Sequence, residues 1–277
     1  DRLRSRGLGD VYKRQALSSR YEKSPFYSLL NGTWKFYFVD SYKDLPANIT
    51  DPSVSTSEWD DITVPGNWEV QGHGTAIYTN HGYEFKPRNP QPPLLPEANP
   101  VGVYRRDFEV PAGWDGRDIY LHIAGAKSGL YVYVNGKEVG YSEDSKNPAE
   151  FLINKYLQPG KNVLTLKIFR WSTGSYLECQ DFWRLSGIER DVYLWSQPKI
   201  AVNDYRIVST LDDTYKNGIF SLAIDIKNHS DKVKNIDVTY ELLDVKGNVA
   251  ATAENKLWVS PVSYTHLRAH ETGAYLV

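Results

Sequence analysis

Methionine is absent from the 277 residues, and cysteine occurs once, at Cys179. A lone cysteine excludes an internal disulfide and any CxxC metal site, so it says little about redox compartment. Without a methionine, the sequence as it stands does not open on an initiator, which leaves the compartment, cytoplasmic or periplasmic, unread. No apolar run approaches the roughly 20 residues of a spanning helix, and mean hydropathy is −0.50. Charge of one sign is also missing: 32 Lys and Arg stand against 34 Asp and Glu, for a net charge of −2. Balanced, interspersed charge argues against nucleic acid or an anionic membrane as the main partner. There is no GxSxG elbow, Gly-rich phosphate loop or dinucleotide fingerprint. His73, His81 and His122 stand alone, without an HxxxH or HExxH neighbour.

What is present is aromatic and strand-like. Trp, Tyr and Phe make up 13% of the chain, including 8 Trp and 20 Tyr. Such an excess fits β-sandwiches, and also sugar-handling proteins whose ring faces stack on pyranose C–H groups. Short alternating runs recur at 30–39, 62–64, 103–110, 118–123, 130–134, 137–141, 163–169 and 192–195. Asn135-Gly136 between two of them is a hairpin signal, because both turn residues need positive φ. Little helix and near-regular turn signals predict an all-β fold, a jelly-roll β-sandwich. After Gln197-Pro198 four further strands, at 200–210, 218–227, 236–243 and 249–258, read as an incomplete immunoglobulin-like β-sandwich. The domain reading is therefore 16–197 for the jelly roll and 198–262 for the second sandwich. Residues 1–15, with five basic residues and no apolar period, and 263–277, where the strand pattern breaks off, are read as non-native or disordered ends.

One stretch resists this sorting. Trp171–Leu194 mixes Trp171, Tyr176, Phe182 and Trp183 with Glu178, Gln180 and Asp181, without strand or helix period. A core strand would bury unpaired carboxylates at a cost of several kcal/mol, and a plain surface loop has no use for the rings. The mixture predicts an ordered, half-buried loop whose polar groups are held against something. Glu178 and Asp181 are spaced to converge as a glycosidic acid and nucleophile pair. The plainer reading satisfies the carboxylate with Arg184, Arg190 or backbone N–H groups. A third is a hard-cation site for Na⁺, Mg²⁺ or Ca²⁺. Upstream, Asn67–Pro100 is a long irregular region stiffened by proline, a length that is usually functional. In it Asn80 and His81 read either as turn formers or as the hydrogen-bonding edge of a polar site.

Six motifs occur in order: 31–36 (NGTWKF), 64–68 (VPGNW), 77–80 (IYTN), 99–104 (NPVGVY), 174–184 (GSYLECQDFWR) and 186–192 (SGIERDV). Together they resemble the N-terminal half of bacterial β-galactosidases of glycoside hydrolase family two, over about Leu29 to Trp258. The QDFWRLSG stretch is closer to the β-galactosidases than to the family's β-glucuronidases or β-mannosidases. The resemblance implies a galactose-binding-like jelly roll, an immunoglobulin-like domain and then a (β/α)₈ barrel that carries both catalytic glutamates and the Mg²⁺ site. No catalytic residue is therefore nominated in this chain. Two roles carry over. Asn80 matches the loop Asn that bonds the galactosyl unit, and Asp181 matches the Asp that contacts sugar and ligates Na⁺. Cys179 stands where an Asp is common. The implied function is that of a non-catalytic part of a retaining, homo-oligomeric β-galactosidase. A stand-alone carbohydrate-binding module, a related β-glucuronidase or β-mannosidase, and a structural role in assembly are the alternative readings.

Overall fold

A computed structural model of the chain describes residues 23–85, 89–244, 246–261 and, as backbone, 263–273. The expected end segment 1–15 lies outside the described residues, as do 274–277. The chain divides into two compact units, one of Tyr27–Asp115 with Ile119–Trp195, the other centred on the residues from Ser196 onward. Among the described residues no helix is long and apolar enough to cross a membrane.

The first unit is built from β1 (Tyr27–Leu29), β2 (Gly32–Val39), β3 (Asp60–Val64), β4 (Gly66–Asn67), β5 (Ile77–Thr79), β6 (Val101–Glu109), β7 (Asp118–Ile123) and β8 (Ala126–Lys127). It continues through β9 (Gly129–Val134), β10 (Lys137–Ser142), β11 (Ala149–Leu152), β12 (Lys161–Phe169), β13 (Phe182–Arg184), β14 (Gly187–Ile188) and β15 (Val192–Gln197). Six strands in the order β10-β9-β12-β6-β2-β3 form one sheet of the jelly roll, and β1-β15-β7-β11 form the other. The pairing is antiparallel throughout. Asn135 and Gly136 turn between β9 and β10 with φ of 51° and 76°, as the Asn-Gly signal requires.

Strand β6 shows why the core closes where it does. Its residues Val101–Arg105 are all buried, because both faces of the sheet are covered there. On one face Tyr104 packs against Phe36 at 4.7 Å between ring centroids. On the other, Val101 and Val103 pack with Ile49 and Trp59 from the irregular 40–59 segment. Arg105 pins that segment by donating to Ile49 O (2.6 Å) and Val54 O (2.8 Å) while its guanidinium lies over Trp59. Gly102 lets Trp68 approach: a Cβ there would sit 2.7 Å from Phe36 and Trp68 ring carbons.

Two minor sheets complete the unit, β4-β14-β8 and the two-stranded ribbon β5-β13. Their strands of two or three residues are too short to show a period, and the sequence reading treats them as loop.

Buried phenols make the unit sensitive to alkali. Tyr133 donates to Glu138 Oε2 at 3.2 Å, and burial together with that carboxylate pushes its pKa up to about 12. An unfolded tyrosine titrates near 10. Between those values the folded state holds a proton that the unfolded chain has lost, so stability is intact below pH ~10 and falls as pH rises toward ~12. Urea midpoints across that range should fall with pH, and Tyr133→Phe should flatten the slope. An unchanged slope would remove Tyr133 from the effect.

In the second unit β16 (Ile200–Leu211), β17 (Gly218–Asn228) and β20 (Ser263–Gly273) form one sheet, and β18 (Lys234–Leu243) and β19 (Val249–Val259) the other. Among the described residues these five strands form an immunoglobulin-like sandwich, against the seven strands of a constant-type domain. Alternate residues of β17, Phe220, Leu222, Ile224 and Ile226, form its core with Ile236 and Val259. The sequence reading ends the strand pattern before Tyr264, whereas 263–273 pair with β17 along their whole length.

Candidate functional site

The ribbon β5-β13 joins segments about a hundred residues apart. Ile77-Tyr78-Thr79 and Phe182-Trp183-Arg184 consist largely of β-branched and aromatic residues, which favour extended backbone. Their register pairs Thr79 with Phe182, Tyr78 with Trp183 and Ile77 with Arg184. Alternation then sorts the side chains. Thr79 and Arg184 are buried, while Tyr78 and Trp183 are 55% and 57% exposed. Asn80 follows Thr79 and Asp181 precedes Phe182, so the two flank the last pair of the ribbon. Both residues singled out from the sequence thus come together at one end of the ribbon, and both are exposed.

The exposed face is wired by side-chain hydrogen bonds. Tyr78 Oη donates to Asp181 Oδ1 at 2.7 Å. That bond, and the carboxylate's charge, push the phenol pKa up, so Tyr78 keeps the proton that it donates. Its ring lies 5.7 Å from that of Trp183. Asn80 Oδ1 and His81 Nδ1 are 2.7 Å apart, and the Thr79 hydroxyl donates to His81 O at 2.7 Å, closing the turn that follows β5. Asn80 and His81 therefore form the turn that follows β5, with both side chains exposed. The ribbon end offers a carboxylate oxygen, an amide and two ring faces, a set suited to hydroxyl groups beside apolar C–H surface.

Beneath the ribbon the loop is held by buried cations. Arg184 donates to Glu178 O at 2.7 Å and also to Gln180 O, and its guanidinium lies 4.6 Å from the Phe182 ring. Arg170 donates to Thr75 O (2.8 Å) and Arg184 O (3.3 Å), tying the two ribbon strands together. Lys127, carried on β8, pairs with Glu84 at 3.2 Å, and both are buried. Burial pushes the Lys127 pKa down, and Glu84 opposes that. Lys146 Nζ lies 3.7 Å from the Phe182 ring on the same layer.

Glu178 does not join Asp181. Its Oε1 accepts from the Ser145 N–H at 3.1 Å, while Asp181 is bonded to Tyr78. The convergent pair considered from spacing is therefore not formed, and the backbone N–H alternative describes the Glu178 contact. Arg184 addresses the loop carbonyls rather than the carboxylate, and Arg190 reaches Ala124 O at 3.4 Å. Cys179 Sγ lies against Ser175 O and Tyr176 O, and burial pushes its thiol pKa up, away from the reactive thiolate.

Among the described residues no group of three or more His, Cys, Asp or Glu side chains is placed to hold a metal ion. Asp181 supplies one hard carboxylate donor of the kind Na⁺ takes, while the Tyr78 hydroxyl is engaged by Asp181 Oδ1. Tyr78, Lys127 and Glu84 were not picked out from the sequence, and Trp183 was picked out only as a ring too large for a plain surface loop. The one available signal was that aromatic and β-branched residues flank both Asn80 and Asp181.

The profile described as Glycosyl hydrolases family 2, sugar binding domain, matches residues 27–198. A β-galactosidase of Priestia megaterium is 39% identical over 262 residues, 92% of this chain and 25% of the relative. One of Psychromonas ingrahamii is 41% identical over 218 residues, 79% of this chain and 21% of the relative. The chain spans about a quarter of the length of the curated relatives it matches. A Bacteroides uniformis β-glucuronidase structure superposes with a TM-score of 0.70 at 20% identity, over 90% of this chain and 28% of that one. At that identity the likeness speaks for the fold alone. The profile match covers more than half of the chain, including both strands of the ribbon, and on it the chain belongs to glycoside hydrolase family two.

Proposed function

We propose that this chain is the sugar-binding and adjoining β part of a retaining β-galactosidase, with Asn80 and Asp181 contributing to the galactose subsite. The observation that carries this reading is the β5-β13 register, whose terminal Thr79–Phe182 pair is flanked in sequence by Asn80 and Asp181, both exposed. The curated relatives, about 40% identical, are β-galactosidases. In this reading the two carboxyl groups that cleave the glycosidic bond, about 5–5.5 Å apart in retaining enzymes, belong to a barrel beyond this chain, as do the Mg²⁺ ligands. Asp181 accepts from a sugar hydroxyl, and the Asn80 amide donates to a neighbouring one. Such paired polar contacts discriminate one epimer from another, because the wrong epimer leaves a donor or acceptor unmatched. Asp181 would hold Na⁺ in part, and the ion would supply a fixed positive charge to the subsite.

The test replaces the matching N-terminal segment of the Priestia megaterium enzyme with this chain. The chimera should hydrolyse a chromogenic β-galactoside in preference to the β-glucuronide, and Asp181→Ala should lower kcat/KM at least about tenfold, the loss of one or two ligand hydrogen bonds. If Asp181→Ala leaves both turnover and sodium dependence intact, the assignment fails. Preference for the glucuronide would transfer the reading to a β-glucuronidase. Exposed Tyr78 and Trp183 favour a second reading, a stand-alone carbohydrate-binding module. Calorimetry of the 277-residue chain with galactose decides it. No binding is expected, and millimolar or tighter affinity would favour the module. Assembly through these β units belongs to the same proposal and is read by sedimentation of the chimera.

A further inference from the structure

The geometry points to Tyr78 as a positioning residue that decides which oxygen of Asp181 faces the ligand. This rests on the placement of Asp181 in the sugar subsite and adds a residue that nothing else assigns. Asp181 sits just outside the ribbon on an exposed face, where a carboxylate is otherwise free to turn among its staggered and near-twofold rotamers. The Tyr78 Oη donates to its Oδ1 at 2.7 Å, a charge-assisted bond of the stronger class. Oδ1 is thereby engaged, and in this proposal Oδ2 is the oxygen left to the ligand. Tyr78 is itself fixed: its backbone is paired with Trp183 in the ribbon, and its ring contacts the Trp183 ring at 5.7 Å. A phenol has two rotatable side-chain bonds, so little freedom is lost in holding it. The same strand runs directly into Asn80, so one rigid ribbon sets the placement of both ligand-facing groups. Holding a ligand group in place before the ligand arrives removes an ordering cost from binding.

Tyr78→Phe keeps the ring and its contact with Trp183 and removes only the hydroxyl. In crystals of the 277-residue chain, Asp181 should occupy one rotamer, and in the Tyr78→Phe chain it should spread over two or more. In the chimera the same substitution should raise KM three- to tenfold while kcat changes less than twofold, with an unchanged thermal midpoint. An Asp181 that keeps its single rotamer without the hydroxyl overturns the inference, whatever the kinetics. So does an unchanged KM in a chimera whose Asp181→Asn form is impaired. If instead Asp181→Asn is itself without effect, the sugar-subsite reading fails, and the rotamer measurement still decides what holds Asp181.

Discussion

Replacing Arg184 by alanine is expected to destabilise the jelly-roll unit by about 3 kcal/mol, because truncating a buried side chain leaves a void at about 2–5 kcal/mol and two part-buried carbonyls lose their donor. The guanidinium is 1% exposed. It donates to the carbonyls of Glu178 and Gln180 and covers the Phe182 ring. The segment 177–181, which leads into the ribbon, would lose its floor, so Asp181 should lose its place together with the stability. Lysine at 184 should recover little, since an ammonium cannot span two carbonyls as a planar fork does. Urea unfolding followed by tryptophan fluorescence reads the effect, because all tryptophans except Trp258 lie in this unit. A loss below about 1 kcal/mol, an ordinary surface change, would show that water replaces the guanidinium.

Lys127→Met should cost about 3–5 kcal/mol, the usual result of breaking a buried ion pair from one side. Its partner Glu84 is 9% exposed and would keep a buried carboxylate without a counter-charge. The asymmetry is the informative part. The double variant Lys127→Met, Glu84→Leu removes both charges, and apolar replacement of a buried pair is often neutral or better. It should therefore regain most of what the single variant lost. A double variant no more stable than Lys127→Met would mean that Lys127 is supported by other groups, Glu178 among them. Because Glu84 lies four residues beyond Asn80, amide exchange across 78–84 should rise in the single variant and fall back in the double.

The long strands were legible because period-two patterning survives over five or more residues. Asp118–Ile123 and the Asn135-Gly136 hairpin appear where alternation and turn chemistry put them. Asn80 and Asp181 were legible only through the ordered motif set. Nothing in their local spacing shows that they meet, since the pairing depends on two three-residue strands far apart in the chain. Tyr78 and Trp183 look like core aromatics in one dimension, and only the register turns them outward. Lys127 was hidden for the opposite reason: a lysine in sequence reads as solvated, and its burial follows from β8 pairing with β14. The spacing of Glu178 and Asp181 left their convergence open, because proximity in sequence does not fix proximity of carboxylates; the Ser145 N–H takes one and Tyr78 the other.

The ribbon also sets how this surface can change. Side chains on paired strands alternate in and out, so a slip of one residue inverts the whole set. Inserting or deleting a residue within 77–80 or 181–184 would not weaken the face by degrees. It would exchange Tyr78, Trp183 and their neighbours for the inward set of Thr79 and Arg184. The irregular loops on either side of the ribbon are under no such rule, since lengthening a loop costs only slowly increasing entropy. Ligand chemistry can thus drift by substitution and the surrounding loops by length, while the count of residues across the ribbon stays fixed.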